Sequence, residues 1–150
     1  MVSVRRLGVG DERVVRLLAE DDADFGLEES SDAAEPLDDV AAAAYLADPS
    51  VVHWIASVGD EVVGHLFCLV ERRRSMPARQ LLLYDIGVRA GHRRAGVGRA
   101  LIDEMTSWMS REGIGEVWVV ADGEAVAFYQ NLGFGVSEGE LVPMDRRVGD

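Results

Sequence analysis

The apolar positions of this chain change period several times, and each change marks an element. Ser3 to Leu7 alternates as a short strand. Asp11 is placed as an N-cap for a helix running to Glu20, with Val14, Val15, Leu17 and Leu18 on its apolar face. From Asp21 to Asp39 the periodicity is lost, and Phe25, Gly26 and Pro36 interrupt a stretch that predicts loop with one helical turn. Val40 to Ala47 is Ala-rich and helical, stopped by Asp48-Pro49. Val51 to Val58 and Glu61 to Val70 then form two strand-like runs joined through Gly59-Asp60, a hairpin signal.

Leu81 to Val88 is a third apolar run, interrupted by Asp85 and Gly87. From Gly98 to Arg111, Ala100, Leu101, Met105 and Trp108 share a helical face, with Gly113 as the stop. Glu116 to Ala121 predicts a strand, Glu124 to Leu132 a short helix, and Phe134 to Asp145 a closing hairpin turning near Gly139. The order β-α-α-β-β-β-α-β-α-β-β, without repeat or linker, predicts one α/β domain over residues 1–150: a mixed sheet with helices on both faces.

Composition narrows the partners. The 27 acidic against 15 basic residues give a net charge of -12, which disfavours nucleic acid and anionic lipid and favours cationic small molecules or basic peptides. Nine of those acids crowd the stretch up to Asp39: Asp21, Asp22, Asp24, Glu28, Glu29, Asp32, Glu35, Asp38 and Asp39. They read either as a solvated face or as the border of an acceptor groove. The single cysteine, Cys68, excludes an intramolecular disulfide and lies in an apolar run as a core thiol. His53, His65 and His92 are not spaced as metal ligands, and the first two read as packed strand residues. Arg72, Arg73 and Arg74 form a solvated basic loop. With no signal-like apolar stretch at Met1 to Arg6 and no run of transmembrane length, a cytoplasmic location is the default expectation.

The most informative stretch follows the third strand. Arg89 to Leu101 is a turn with several arginines and two closely spaced glycines that opens directly into an amphipathic helix. Such a turn presents unpaired backbone N–H groups at the positive end of a helix dipole, where Gly96 and Gly98 let backbone approach a phosphate. Arg99-Ala100 after Gly98 breaks the P-loop pattern, and Leu101 breaks the dinucleotide-binding one. Arg93-Arg94-Ala95-Gly96-Val97-Gly98 resembles instead the pyrophosphate-binding turn of the GNAT acetyltransferase superfamily. Downstream, Ala125 to Phe134 is similar to that superfamily's Ala-x-x-Phe-Tyr-x-x-x-Gly-Phe segment.

The resemblance implies acetyl-CoA as co-substrate, with no metal, and a sheet splayed at the fourth strand. It also implies a possible homodimer. Arg93, Arg94, Ala95, Gly96, Val97, Gly98 and Arg99 would bind the pyrophosphate. Ile86, Gly87 and Val88 would pair with the pantetheine arm, with the Val88 N–H facing the thioester oxygen. Gly87 independently suggests a kink or bulge in the strand. Tyr129 falls where these enzymes carry the general acid toward sulfur, although by spacing alone it reads equally as packing.

Asp85 is a carboxylate inside an apolar strand, which read alone is either an ion-pair partner or a site residue. Leu81 to Val88 is similar to a strand of the type I aminoglycoside 3-N-acetyltransferases, and Asp24-Phe25-Gly26, Tyr45-Leu46 and Met76 to Arg79 match that group as well. By this likeness Asp85 is the general base or amine anchor, and Tyr84 lines the acceptor pocket or packs in the core. The chain departs from that group at Asp122-Gly123-Glu124, which is shorter than its acidic loop. Glu124 reads there as an acceptor-side carboxylate or as a helix-dipole partner. The expected activity is acetyl transfer to a cationic amine, with the 3-amino group of an aminoglycoside first. Another small amine, a peptide N-terminus, and a non-catalytic coenzyme A-binding module are the alternatives.

Overall fold

The computed structural model of the chain describes residues 1–26, 34–139 and 142–149. Five strands lie in sequence order across one sheet: β1 (Val2–Arg6), β2 (Val51–Val58), β3 (Glu61–Arg72), β4 (Arg79–Val88) and β5 (Val117–Trp118). The first four form an antiparallel meander, and β5 pairs parallel to β4 through Leu81↔Val117 and Leu82↔Trp118. The hairpin between β2 and β3 is the two-residue turn expected, with Gly59 at φ 58°. Between β4 and β5 the chain crosses over through α4 (Val97–Glu112).

The two faces of the sheet carry different cores. On one, α4 sets Val97, Leu101, Met105 and Trp108 against Trp54, Leu66, Cys68, Leu83, Ile86 and Val88. Cys68 is fully buried there with its Sγ 3.8 Å from Met105 Sδ, and burial pushes its thiol well above the usual range. Gly113 ends α4 with φ 71°, and the Ile114 N–H returns to the Met109 carbonyl. On the other face, α1 (Glu12–Glu20), the single-turn α2 (Asp22–Phe25) and α3 (Asp39–Ala47) border a smaller core of Leu7, Leu18, Phe25 and Ile55. Helices therefore cover both faces, as the α/β reading expects.

Local chemistry differs from expectation in three places. Asp11 does precede α1, but its carboxylate accepts the Gly8 N–H and pairs with Arg5, so it ties the preceding turn rather than capping the helix. The capping role falls to Asp38, whose side chain accepts the Ala41 N–H at the start of α3. The strand over Glu116 to Ala121 shrinks to two residues, and the closing hairpin is absent among the described residues of 134–149. Val136, Val142 and Met144 stand in solvent there, so the alternation that suggested strands has no surface to bury against.

The acidic stretch is largely absorbed by structure. Arg89 reaches Asp21 at 2.9 Å and Asp24 at 3.1 Å, donates to the Val62 carbonyl, and stacks 4.3 Å above the Phe25 ring. Arg93 donates to the carbonyls of Val88 and Gly26. Asp39 pairs with Arg16. Glu28, Glu29 and Asp32 lie outside the described residues. The two arginines thus hold α2 down on the end of β4, and Gly87 makes room for it. A Cβ at Gly87 would sit 2.6 Å from the Phe25 carbonyl oxygen and 2.9 Å from the Phe25 Cβ.

Gly87→Ala is therefore expected to lower stability by about 1–3 kcal/mol through overpacking, read as a fall in the urea midpoint. Gly91→Ala, which meets open space, should leave the midpoint in place. An unmoved midpoint for Gly87→Ala would mean that α2 does not seat on β4.

Candidate active site

β4 carries the site because its register breaks. Phe67 opposes Asp85 and Cys68 opposes Leu83, so Tyr84 is an extra residue, a β-bulge. The insertion lets Leu83 and Ile86 both face the α4 core while Asp85 faces away from it. Gly87 is the residue expected to mark a kink, but it pairs regularly with His65, and its role is the close approach of Phe25. Tyr84 is 65% exposed and leans on Phe67, so the core reading of that side chain is not met.

Pairing of β4 with β5 ends at Leu82, so the rest of β4 up to Val88 has one open edge. The Arg89 N–H donates to Val63 across β3. Successive strand N–H groups point to opposite edges, which directs that of Val88 toward the open side. Two cavities run along this edge. One, about 280 Å³, is lined by Asp85 and Ile86 together with Asp22, His65, Asp122 and Tyr129. The other, about 350 Å³, is lined by Val88, Phe128 and the turn from His92 to Arg99.

In that turn Arg94 has φ 62° and Gly96 has φ 81°, two left-handed residues within three. Gly96 caps α4 without any side-chain hydrogen bond, and the first bond it accepts comes from the Ala100 N–H. The N–H groups of Val97, Gly98 and Arg99 precede the first intrahelical donor and remain for an anion. Arg94 borders the cavity, whereas the guanidiniums of Arg93 and Arg99 bond to backbone carbonyls, that of Arg99 to Asn131. The left-handed turn, the uncapped helix and the adjoining cavity together fit a pyrophosphate group.

The cleft at Asp85 is acidic. Among the described residues its lining holds three carboxylates, Asp22, Asp85 and Asp122, and no Lys or Arg. Asp85 lies on its floor. About half of the side chain stays accessible (52%), yet its surroundings are mostly protein. Burial and then the Asp22 charge push its carboxyl up to about 6, against the pull of the Ile86 N–H. Tyr129, 8% exposed on α5 (Val126–Asn131), faces the same cleft and packs against Phe128 and Phe134. Glu124 is exposed ahead of the α5 cap and does not line the cleft. The acid from that loop is Asp122, which also accepts the Ala125 N–H. Of the acids from Asp21 to Asp39, Asp22 alone lines it among the described residues.

Sequence reasoning missed the histidines. His53 and His65 are buried polar residues next to the cleft, held at neutral charge by burial, with pKa values pushed down to about 3 and about 4. The available signal was alternation within the two strands, His53 with Ile55 and His65 with Phe67, which pairing brings to one sheet face with Ile55 opposite His65 and His53 opposite Phe67. Among the described residues, no group of three or more His, Cys, Asp or Glu is arranged to hold a metal, and no helix is long and apolar enough to cross a membrane.

Residues 14–134 match the acetyltransferase (GNAT) family. N-acetyltransferase family 8 member 3 of Rattus norvegicus is 30% identical over 93 residues, which are 60% of this chain and 41% of that protein. The chain thus spans about two fifths of such curated relatives. An aminoglycoside acetyltransferase from an uncultured soil metagenomic sample, solved in complex with sisomicin, superposes with a TM-score of 0.82 at 20% identity, covering 99% of this chain and 97% of that one. The ribosomal-protein-alanine N-acetyltransferase of Brucella melitensis biovar Abortus 2308 gives 0.74 at 20% identity, covering 97% and 100%. At these identities the likenesses establish a shared fold.

A carboxyl whose folded pKa is raised stabilises the fold below its unfolded value and loses that contribution as pH rises through the folded one. Asp85→Asn should therefore raise the melting temperature at pH 8, and the gain should vanish below about pH 4, near the ordinary Asp value. Thermal denaturation at both pH values checks this. Equal melting temperatures at pH 8 would show that the carboxylate is not strained in the cleft.

Proposed function

The chain belongs to the acetyltransferase (GNAT) family, and we propose that it transfers an acetyl group from acetyl-CoA directly to a primary amine of an aminoglycoside, the 3-amino group. The observation that carries the reading is one cleft lined by both Asp85 and Tyr129 and bordered by the open edge of β4. Three carboxylates in that cleft suit an acceptor with several ammonium groups. The structural likeness to the sisomicin-bound enzyme supports the same acceptor class, and the β4 sequence supports the 3-amino position.

Acetyl-CoA, when bound, supplies the activated acyl carbon and a thiolate leaving group. The amides from Arg94 to Arg99 hold its pyrophosphate, and the β4 edge from Ile86 to Val88 pairs with its pantetheine arm. Asp85 receives the substrate ammonium and removes its proton. A carboxyl near pH 6 is still mostly ionised at neutral pH and is a stronger base than an ordinary aspartate. The Val88 N–H meets the charge that develops on the carbonyl oxygen as the C–N bond forms. Tyr129 donates its hydroxyl proton to sulfur as the C–S bond breaks, and the proton that the nitrogen loses on becoming an amide restores the tyrosine hydroxyl. Cys68 is sealed in the α4 core, out of reach of an acyl donor, which supports direct transfer within a ternary complex.

Thiol release from acetyl-CoA across gentamicin, sisomicin, kanamycin, spermidine and short peptides tests the acceptor, with product mapping for the position. Turnover of gentamicin-like compounds at the 3-amino group is expected. Turnover of spermidine or peptides alone would discard the aminoglycoside reading and retain acetyl transfer. Asp85→Asn and Tyr129→Phe should each lower kcat on the order of 10² or more with coenzyme A affinity kept. Gly96→Val places a β-branched residue at φ 81° and should weaken coenzyme A binding about tenfold or more. Unchanged affinity would discredit the turn as the pyrophosphate site.

A further inference from the structure

Asp85 ends a line of polar groups that crosses the sheet. Tyr45 Oη on α3 lies 2.7 Å from His53 Nδ1, His53 Nε2 lies 2.9 Å from His65 Nδ1, and His65 Nε2 lies 3.6 Å from Asp85 Oδ2. Both imidazoles are more than nine-tenths buried. Phe25 stands edge-on to the His65 ring, and a Cβ at Gly87 would come within 3.1 Å of its Nε2. The ring is confined, with that nitrogen aimed into the cleft.

A neutral imidazole carries one N–H, so the two hydrogen bonds can be ordered in only two ways, each of which sets what His65 Nε2 turns toward Asp85 across a 3.6 Å gap that is longer than a hydrogen bond and acts electrostatically. In one, the Tyr45 hydroxyl donates to His53, His53 donates from Nε2 to His65, and His65 presents an N–H to Asp85. In the other, every donor is reversed and His65 turns a bare lone pair on the carboxylate. An ionised Asp85 repels the second arrangement and attracts the first. Tyr45 can take the donor end, its hydroxyl being held protonated by burial and the Asp85 charge. A merely satisfied core pair would account for the two inner hydrogen bonds but not for the placement of His65 Nε2 against the carboxylate.

We propose that Tyr45, His53 and His65 form a positioning chain that fixes both histidines as Nε2–H tautomers and delivers one N–H donor to Asp85. The chain rests on the reading of Asp85 as general base. It orients the carboxylate toward the acceptor and favours its charged form. Among the described residues, the other groups facing Asp85 are Asp22 on α2, Asp122 before α5 and Tyr129 on α5, so His65 balances a carboxylate-rich surround that contains no Lys or Arg.

Two measurements test this. Long-range ¹H–¹⁵N spectra of the ¹⁵N-histidine-labelled chain at pH 8 should show His53 and His65 as Nε2–H tautomers. A Nδ1–H tautomer at His65 overturns the proposal whatever the activity. The second is the pH profile of kcat/KM with gentamicin. Losing a donor to the ionised form raises a carboxyl's pKa, so His65→Leu should move the acid limb up by about one pH unit, roughly tenfold in ionisation. His65→Gln, whose amide can accept from His53 and donate to Asp85, should restore it. Tyr45→Phe, outside the cleft lining, should shift it the same way by less. If His65→Leu does not fold, the tautomers and the Tyr45→Phe profile decide. An unmoved acid limb with Asp85→Asn inactive refutes the chain and keeps the base. An active Asp85→Asn refutes the base reading, and the tautomers then judge the chain alone.

Discussion

Leu81, Leu83 and Asp85 share one parity along β4, so regular alternation would turn the Asp85 carboxylate into the α4 core, and this molecule depends on the break that prevents it. Leu83 and Ile86 both face α4 because Tyr84 is inserted between the regular pairs of β3 and β4. The insertion sends Asp85 to the opposite face, away from the apolar side chains that would otherwise surround it. Everything else in the site is placed relative to that strand end: the cleft floor, the open edge beyond Leu82 and the turn that starts α4.

Around this point, charge is used in two ways. Arg89 collects Asp21 and Asp24 and, with Arg93, fastens α2 over Gly87, closing the cleft on one side. Their guanidiniums meet carboxylates and carbonyls on several sides, the geometry for which arginine is suited. Asp22, Asp85 and Asp122 receive no such partner within the cleft lining and face one another across it. Burial and the Asp22 charge make the ionised form of Asp85 costly, and a cationic group bound in the cleft would relieve that cost. In the proposed reading of Asp85 as general base, binding of an ammonium and activation of the base would draw on one electrostatic feature.

The elements themselves were largely legible. β2 has the predicted bounds, and β4 and α4 begin within two residues of expectation, because their apolar periods match the surfaces they bury. The hairpin expected over Phe134 to Asp145 is absent among the described residues there for the converse reason. Alternation there reflects no buried face, and Val136 and Val142 remain exposed. Gly87 showed that some constraint acts on the strand, but not which one. A glycine serving a bulge and a glycine serving a close contact look identical in a sequence.

By itself the sequence determined the local chemistry: a turn with two closely spaced glycines ahead of a helix, a carboxylate in an apolar strand, and a tyrosine on a short helix. These follow from residue type and short spacing, which the chain carries directly. Only the tertiary structure decided which acids line the cleft, choosing Asp22 and Asp122 over Glu124 and over Asp21 and Asp24, because partners such as Arg89 lie more than sixty positions away in sequence. It alone joined Tyr45, His53, His65 and Asp85, since strand register, not sequence distance, sets which rings touch across a sheet.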